Sequence, residues 1–215
     1  DIIISEWMGY FLLYESMLDT VLVARDRWLA PGGLLFPDKA TVMLCGIEDE
    51  EYKREKFEWW DNVYGFDMSC IKKLALAEPL VDTVDPQQIC TDEPEVFAID
   101  LSSVRAEQLA WSAPFTLTAA RDDYLHAITA YFDCSFSACH KPIVLSTSPH
   151  ATTTHWKQTV LYLDEVLVMA AGESVHGTIS VRPNSKNHRD VDISLTVQFA
   201  GQHCASSQTL EYKLR

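Results

Sequence analysis

No run of 18 or more apolar residues occurs anywhere in the 215-residue chain, so no segment reads as a membrane-spanning helix. The opening, Asp1 to Ser5, carries no basic n-region and no cleavage site, so it is not expected to be a signal peptide. It also lacks a starting Met and begins inside an apolar run, as expected of a piece of a longer protein. A CxxC pair is missing too. The six cysteines (Cys45, Cys70, Cys90, Cys134, Cys139 and Cys204) are scattered, most among apolar or β-branched neighbours, as reduced thiols are in a cytosolic or nuclear protein. The one suggestive spacing, Cys134, Cys139 and His140, is loose and offers no fourth ligand, so no metal is expected. Positive charge is short: 17 Lys and Arg against 31 Asp and Glu leave a formal charge of -14. That balance disfavours direct binding to nucleic acid and favours basic partners.

The residues that are present describe an ordinary globular chain. A protein of this length buries roughly 70% of its unfolded surface, so it needs no disulfide or metal staple. Ile2-Ile3-Ile4 reads as a buried strand and Glu6 to Tyr14 as a loop. From Glu15 to Leu29, Met17, Leu18, Val21, Leu22 and Trp28 recur at three- and four-residue spacings, which predicts an amphipathic helix stopped by Pro31-Gly32-Gly33. Strand, loop and helix form the tail of an α/β unit, and the parallel neighbours such a strand requires are not expected in this chain.

Beyond the Pro-Gly-Gly stop the character changes. Leu34 to Ile47 is strand-like, and Glu48 to Ile71 turns helical and aromatic. The acidic run Glu48 to Glu51 reads as a solvated helix start. Two adjacent tryptophans, Trp59 and Trp60, cannot both face one core, which argues for a second contact surface. After Pro79 the pattern is mainly β. Strands are predicted at Phe115 to Ala119, Leu125 to Phe132, Gln158 to Leu163, Val175 to Val181 and Val191 to Phe199. The last alternates apolar and polar at every step, and Pro183 to Asn187 supplies the turn before it. Short strands at this spacing predict a barrel or sandwich.

The densest signal for chemistry is Ser5-Glu6-Trp7-Met8-Gly9-Tyr10-Phe11-Leu12-Leu13-Tyr14-Glu15-Ser16-Met17. Two glutamates bracket an aromatic loop, and carboxylates among apolar surface are costly unless each meets a positive or hydrogen-bonding partner. No Lys or Arg lies between residues 1 and 24, so the cation must come from elsewhere in the fold or from a ligand.

This segment resembles the double-glutamate loop of the type I protein arginine N-methyltransferases, in their main asymmetric-dimethylating branch. Thr154-His155-Trp156, running on to Lys157-Gln158-Thr159-Val160, is similar to that family's Thr-His-Trp loop. Trp59 through Met68 is similar to its dimerisation arm. The resemblance implies that residues 1–33 are the tail of a Rossmann-like S-adenosylmethionine domain and 34–215 a C-terminal β-barrel, with a helical arm at about 48–80. It implies Glu6 and Glu15 as the catalytic carboxylates and His155 as a neighbouring proton-handling or structural group. Tyr10, Met17, Trp156 and Met8 would line the substrate pocket, Trp156 offering its face to the cation. Trp59, Trp60, Tyr64, Phe66 and Met68 would carry the arm. The partners implied are arginine/glycine-rich or histone-like basic proteins and a second copy in a homodimer, with no nucleic acid and no membrane. The location implied is cytoplasm and nucleus.

The chemistry suits the residues. A guanidinium keeps its proton at physiological pH, and two carboxylates grip its planar fork by charge-assisted hydrogen bonds. Drawing positive charge toward some nitrogens leaves one terminal nitrogen free to attack a sulfonium methyl. S-Adenosylmethionine is the implied donor, yet none of the eight glycines forms a Gly-rich turn after a strand, so no cofactor-binding residue is expected within the chain. Two other readings stay open. One is a non-catalytic barrel-and-arm module for assembly; the other is a carboxylate-pair hydrolase using Glu6 and Glu15 as acid and nucleophile.

Overall fold

The computed structural model describes residues 1–215. It opens with strand β1 (Ile2–Ile4), the loop to residue 16, helix α1 (Met17–Trp28) and strand β2 (Leu34–Phe36). β1 and β2 pair in parallel, Ile3 opposite Leu35. A parallel neighbour for β1 is therefore present, contrary to expectation. It is a three-residue strand just past the Pro-Gly-Gly stop, too short to separate by pattern from the longer strand after it. Nor is β1 buried on both faces: Ile3 packs against the core, while Ile2 and Ile4 share the opposite face and are exposed.

Helix α1 forms where the spacing predicts it, with Asp19 in its first turn and Arg25 and Arg27 in its last, matching the helix dipole. Leu18, Val21 and Leu22 face the core, whereas Met17 and Trp28 are exposed. Arg25 fastens the helix to the chain ahead, Nη1 donating to the carbonyls of Leu101 and Val104, each at 2.7 Å.

Strand β3 (Lys39–Ile47) leads into helices α2 (Glu50–Lys56) and α3 (Ser69–Leu76), which flank a short 3-10 turn at Glu58–Asp61. The expected single helical stretch is thus broken in two. The rest is β: β4 (Leu80–Asp82), β5 (Glu95–Asp100), β6 (Trp111–Thr118), β7 (Asp123–Phe136) and β8 (Ile143–Ser146). β9 (Gln158–Met169), β10 (Ser174–Pro183), β11 (Val191–Ala200) and β12 (Ala205–Leu214) complete the chain.

The fold is mainly β, but the hydrogen-bonded ladder does not close into a barrel. One sheet runs β4-β9-β7-β3-β5, with β8 paired to β7; the other runs β12-β11-β10-β6. Side chains stitch the two where a closed barrel would have backbone pairs. Gln208 on β12 donates to the Glu165 carbonyl of β9 and accepts from its amide, at 2.9 and 3.0 Å, and Tyr212 donates to the Tyr162 carbonyl at 2.7 Å. At the other seam Phe97 of β5 stacks on Trp111 of β6 with ring centroids 4.4 Å apart.

Between the sheets lies the main core. The alternation of β11 puts Val191, Ile193, Leu195, Val197 and Phe199 inward, and the loop residues Trp7, Met8, Phe11 and Leu12 join the same apolar body. β7 is buried on both faces. Leu125, Ile128, Ala130 and Phe132 face that core, while Ala127 and Tyr131 face a second cluster beneath the arm with Phe57, Leu76 and Tyr162. A register shift between Leu125 and Ala127 lets residues of odd and even number share one face.

The arm is tied down by polar groups as well as apolar ones. Tyr162 donates to Asp49 at 2.5 Å, and His126 Nδ1 accepts from the Asp49 amide at 3.1 Å. The start of α2 is therefore partly engaged, not simply solvated. Lys53 is buried, 3% exposed, and its Nζ donates to the carbonyls of Leu163 and Asp164 at 2.8 and 3.0 Å.

Burial drives the Lys53 pKa down to about 8, against opposition from Glu58 and Asp164 and with a smaller push from Lys72. The folded value lies below the unfolded one, so between pH 8 and 10.5 the unfolded chain binds more protons and stability rises with pH. The full window is worth on the order of 3 kcal/mol. Urea unfolding of wild type and Lys53→Met across pH 8 to 10 should show a rising contribution that the variant lacks. Parallel pH profiles for the two proteins would contradict this account.

Candidate functional site

The loop between β1 and α1 is a strained piece of backbone. Phe11, Leu12, Glu15 and Ser16 all have positive φ, between 52° and 77°, a region that side-chain-bearing residues rarely occupy. Tight internal bonds set this shape: the Gly9 amide donates to the Leu12 carbonyl at 3.0 Å, and the Tyr14 amide to that of Tyr10 at 3.1 Å. Tyr10 and Tyr14 stack with centroids 6.1 Å apart. Gly9 is obligatory, since a Cβ there would lie 1.9 Å from the Tyr14 carbonyl oxygen. Trp7, Met8, Phe11 and Leu12 anchor the loop in the core, so Glu6, Tyr10 and Glu15 are left on the outside.

A second loop reaches this one from the far sheet. The Trp156 indole N–H donates to the Met8 carbonyl at 2.8 Å across 148 residues. Trp156 is buried, edge-on to Phe132 at 5.8 Å, and His155 lies across it with ring centroids 3.8 Å apart. His155 therefore covers part of the indole surface that the family resemblance offered to a cation, while itself remaining exposed. The loop is braced from behind. Gln158 accepts from the Val84 amide at 2.8 Å and donates to the Thr147 carbonyl at 2.7 Å, and His150 pairs with Glu93 at 2.9 Å. Lys157, at φ 51°, reaches Asp82 at 2.8 Å.

Glu6 is exposed beside the buried Cys134. Burial first, then the charges of Asp133 and Glu6, push that thiol up to about 12, so Cys134 stays protonated at neutral pH. Trp7 Nε1 and Thr154 Oγ1, one from each loop, are buried without a hydrogen-bond partner. Met17 is 44% exposed at the head of α1, and Met8 is buried, contributing its carbonyl to the junction.

Sequence reasoning missed one neighbour of the site. Arg189, in the turn between β10 and β11, places Nη2 3.6 Å from Glu15 Oε1, and its carbonyl accepts from the Glu15 amide at 2.8 Å. The cation absent from residues 1–24 comes, for Glu15, from 174 residues downstream. No local pattern signals it; an Arg in an Asn-rich turn reads only as solvated. A cavity of about 740 Å³ adjoins this contact, lined by Leu13, Leu18, Leu22, Val181, Val191 and residues of the β10–β11 turn. It includes neither glutamate nor Trp156.

The arm aromatics lie outside this junction. Tyr64 and Phe66 are 93% and 71% exposed, and Trp59 packs edge-on to Trp60 at 4.8 Å. Trp60 and Met68 are partly buried, whereas Tyr64 and Phe66 are left in solvent.

Residues 38–202 match the family described as the arginine methyltransferase oligomerization subdomain. Protein arginine N-methyltransferase 1.1 of Arabidopsis thaliana is 57% identical over all 215 residues, which span 55% of its length. Protein arginine N-methyltransferase 1 of Chlamydomonas reinhardtii is 54% identical over the whole chain, which spans 62% of its length. The chain thus covers little more than half of these relatives, and the match falls on their C-terminal part. Among solved structures, the Trypanosoma brucei PRMT1 enzyme-prozyme heterotetrameric complex with AdoHcy superposes with a TM-score of 0.97 at 48% identity. That superposition covers all of this chain and 68% of the other. Arabidopsis thaliana protein arginine methyltransferase 10 superposes with a TM-score of 0.84 at 26% identity, covering all of this chain and 70% of the other. By sequence and by structure, the chain belongs to the protein arginine methyltransferase family.

Proposed function

We propose that this chain supplies the arginine clamp and the assembly surface of a protein arginine N-methyltransferase, forming monomethyl and asymmetric dimethyl arginine. The observation that carries the reading is the junction itself: Trp156 bonded to the backbone of the Glu6–Glu15 loop, both glutamates left in solvent. Glu6 and Glu15 hold the substrate guanidinium by charge-assisted hydrogen bonds, and His155 and Tyr10 stand at the exposed rim. Rate comes from positioning and electrostatics, without a covalent intermediate.

S-Adenosylmethionine, the methyl donor, is not held by these residues. The one glycine between β1 and α1, Gly9, faces the Tyr14 carbonyl, and no Gly-rich turn joins a strand to a helix. The chain on its own accordingly transfers no methyl. The formal charge of -14 suits arginine/glycine-rich or histone-like substrates, met in cytoplasm and nucleus. A sugar-cleaving pair would need one carboxyl held in apolar surroundings, and the exposure of both glutamates speaks against it. The exposed Tyr64 and Phe66 support homodimer formation through the arm.

In the full-length enzyme, Glu6→Gln and Glu15→Gln should each leave donor affinity within about two-fold, measured calorimetrically, and cut kcat on an arginine-rich peptide by on the order of 100-fold or more. Near-normal turnover by Glu6→Gln would sink the clamp. Deleting residues 58–68 should convert a dimer to a monomer by light scattering and abolish activity. A deletion protein that stays dimeric would remove the arm from the interface.

A further inference from the structure

We infer that the β10–β11 turn is a third loop of the site, in which Asn187 and Asp190 act as positioning residues that fix Glu15. The inference rests on the reading of Glu15 as a guanidinium ligand. Glu15 and Ser16, at φ 77° and 58°, have no glycine to ease that geometry. What holds them is the turn. The Glu15 amide donates to the Arg189 carbonyl at 2.8 Å, and the Ser16 hydroxyl donates to the His188 carbonyl. Two longer contacts bracket the same pair: Arg189 to Glu15 and His188 to Asp19, both at 3.6 Å.

The turn can set a position because it is itself rigid. Asn187 Nδ2 donates to Asp190 Oδ1 at 2.7 Å, and the Asp190 amide donates to the Asn187 carbonyl at 2.9 Å. Asn184 Oδ1 accepts from the amides of Lys186 and Asn187, and its Nδ2 donates to Asp192 at 2.8 Å. The Asn184 amide closes the turn on the Asp190 carbonyl at 2.9 Å. None of these side chains points chemistry at a substrate. They present two backbone carbonyls at a fixed place, and those carbonyls hold Glu15 and Ser16 in the left-handed conformation. The Arg189 guanidinium engages one carboxylate oxygen of Glu15 and leaves the other for the substrate.

A displacement of about 1 Å at a reacting group costs up to a hundred-fold in rate. In the full-length enzyme, Asp190→Ala and Asn187→Ala should each lower kcat about ten-fold or more with KM for the donor unchanged. Asp190→Asn keeps the oxygen that accepts from Asn187 and should stay within about three-fold of wild type. Glu15→Gln is assayed alongside. If Glu15→Gln is inactive while both alanine variants keep wild-type kcat, the positioning role is overturned and the clamp stands. If Asp190→Asn loses as much kcat as Asp190→Ala, the Asn187–Asp190 bond is not the positioning contact and the inference fails. Should Glu15→Gln remain active, the clamp and its positioning fall together.

Discussion

Four residues with side chains, Phe11, Leu12, Glu15 and Ser16, hold positive φ within one short loop, and such residues cost on the order of 1–3 kcal/mol each. Their sum is comparable to the whole stability of a domain. The loop cannot keep this shape by itself, so the rest of the fold must impose it. Three sets of contacts do so: apolar anchors in the shared core, the Trp156 indole on the Met8 carbonyl, and the Arg189 and His188 carbonyls on Glu15 and Ser16. Each comes from a different region of the chain, and together they hold the backbone that carries the two carboxylates.

The split between the two faces of the β4-β9-β7-β3-β5 sheet keeps that loop apart from the arm. One face shares the main core with the loop; the other carries the cluster under α2 and α3. Lys53 and the Tyr162–Asp49 pair tie the arm to this second face, leaving Tyr64 and Phe66 in solvent. The proposed assembly surface and the proposed substrate clamp thus fall on opposite sides of one sheet, with the buried β7 between them.

Much of this was legible in the residues. The Glu6 to Met17 string identified the loop, and the strict alternation of β11 identified a strand with one buried face and one facing water. What escaped depends on pairing or on distance. β12 opens on a polar run, Ala205-Ser206-Ser207-Gln208-Thr209, and its apolar alternation, Leu210, Tyr212 and Leu214, is confined to the second half, too short a pattern to announce a ten-residue strand. β2 has only three residues and is a strand only because β1 lies beside it. The seam between β9 and β12 is made by Gln208 and Tyr212 side chains, which no period of two reveals. Arg189 is invisible for a further reason: its role is mainly that of a backbone carbonyl, which every residue possesses.

Amide hydrogen exchange tests most directly whether the glutamate loop is held from outside. The Glu15 amide and the Trp156 indole N–H each have one partner, a carbonyl on a different loop. If the loops of the two sheets hold the site, both protons exchange as slowly as amides in the centre of β11, and in concert with them. If both exchange at the rate of an unstructured peptide while β11 remains protected, the loop is not held by the sheets, and the account of the site is wrong.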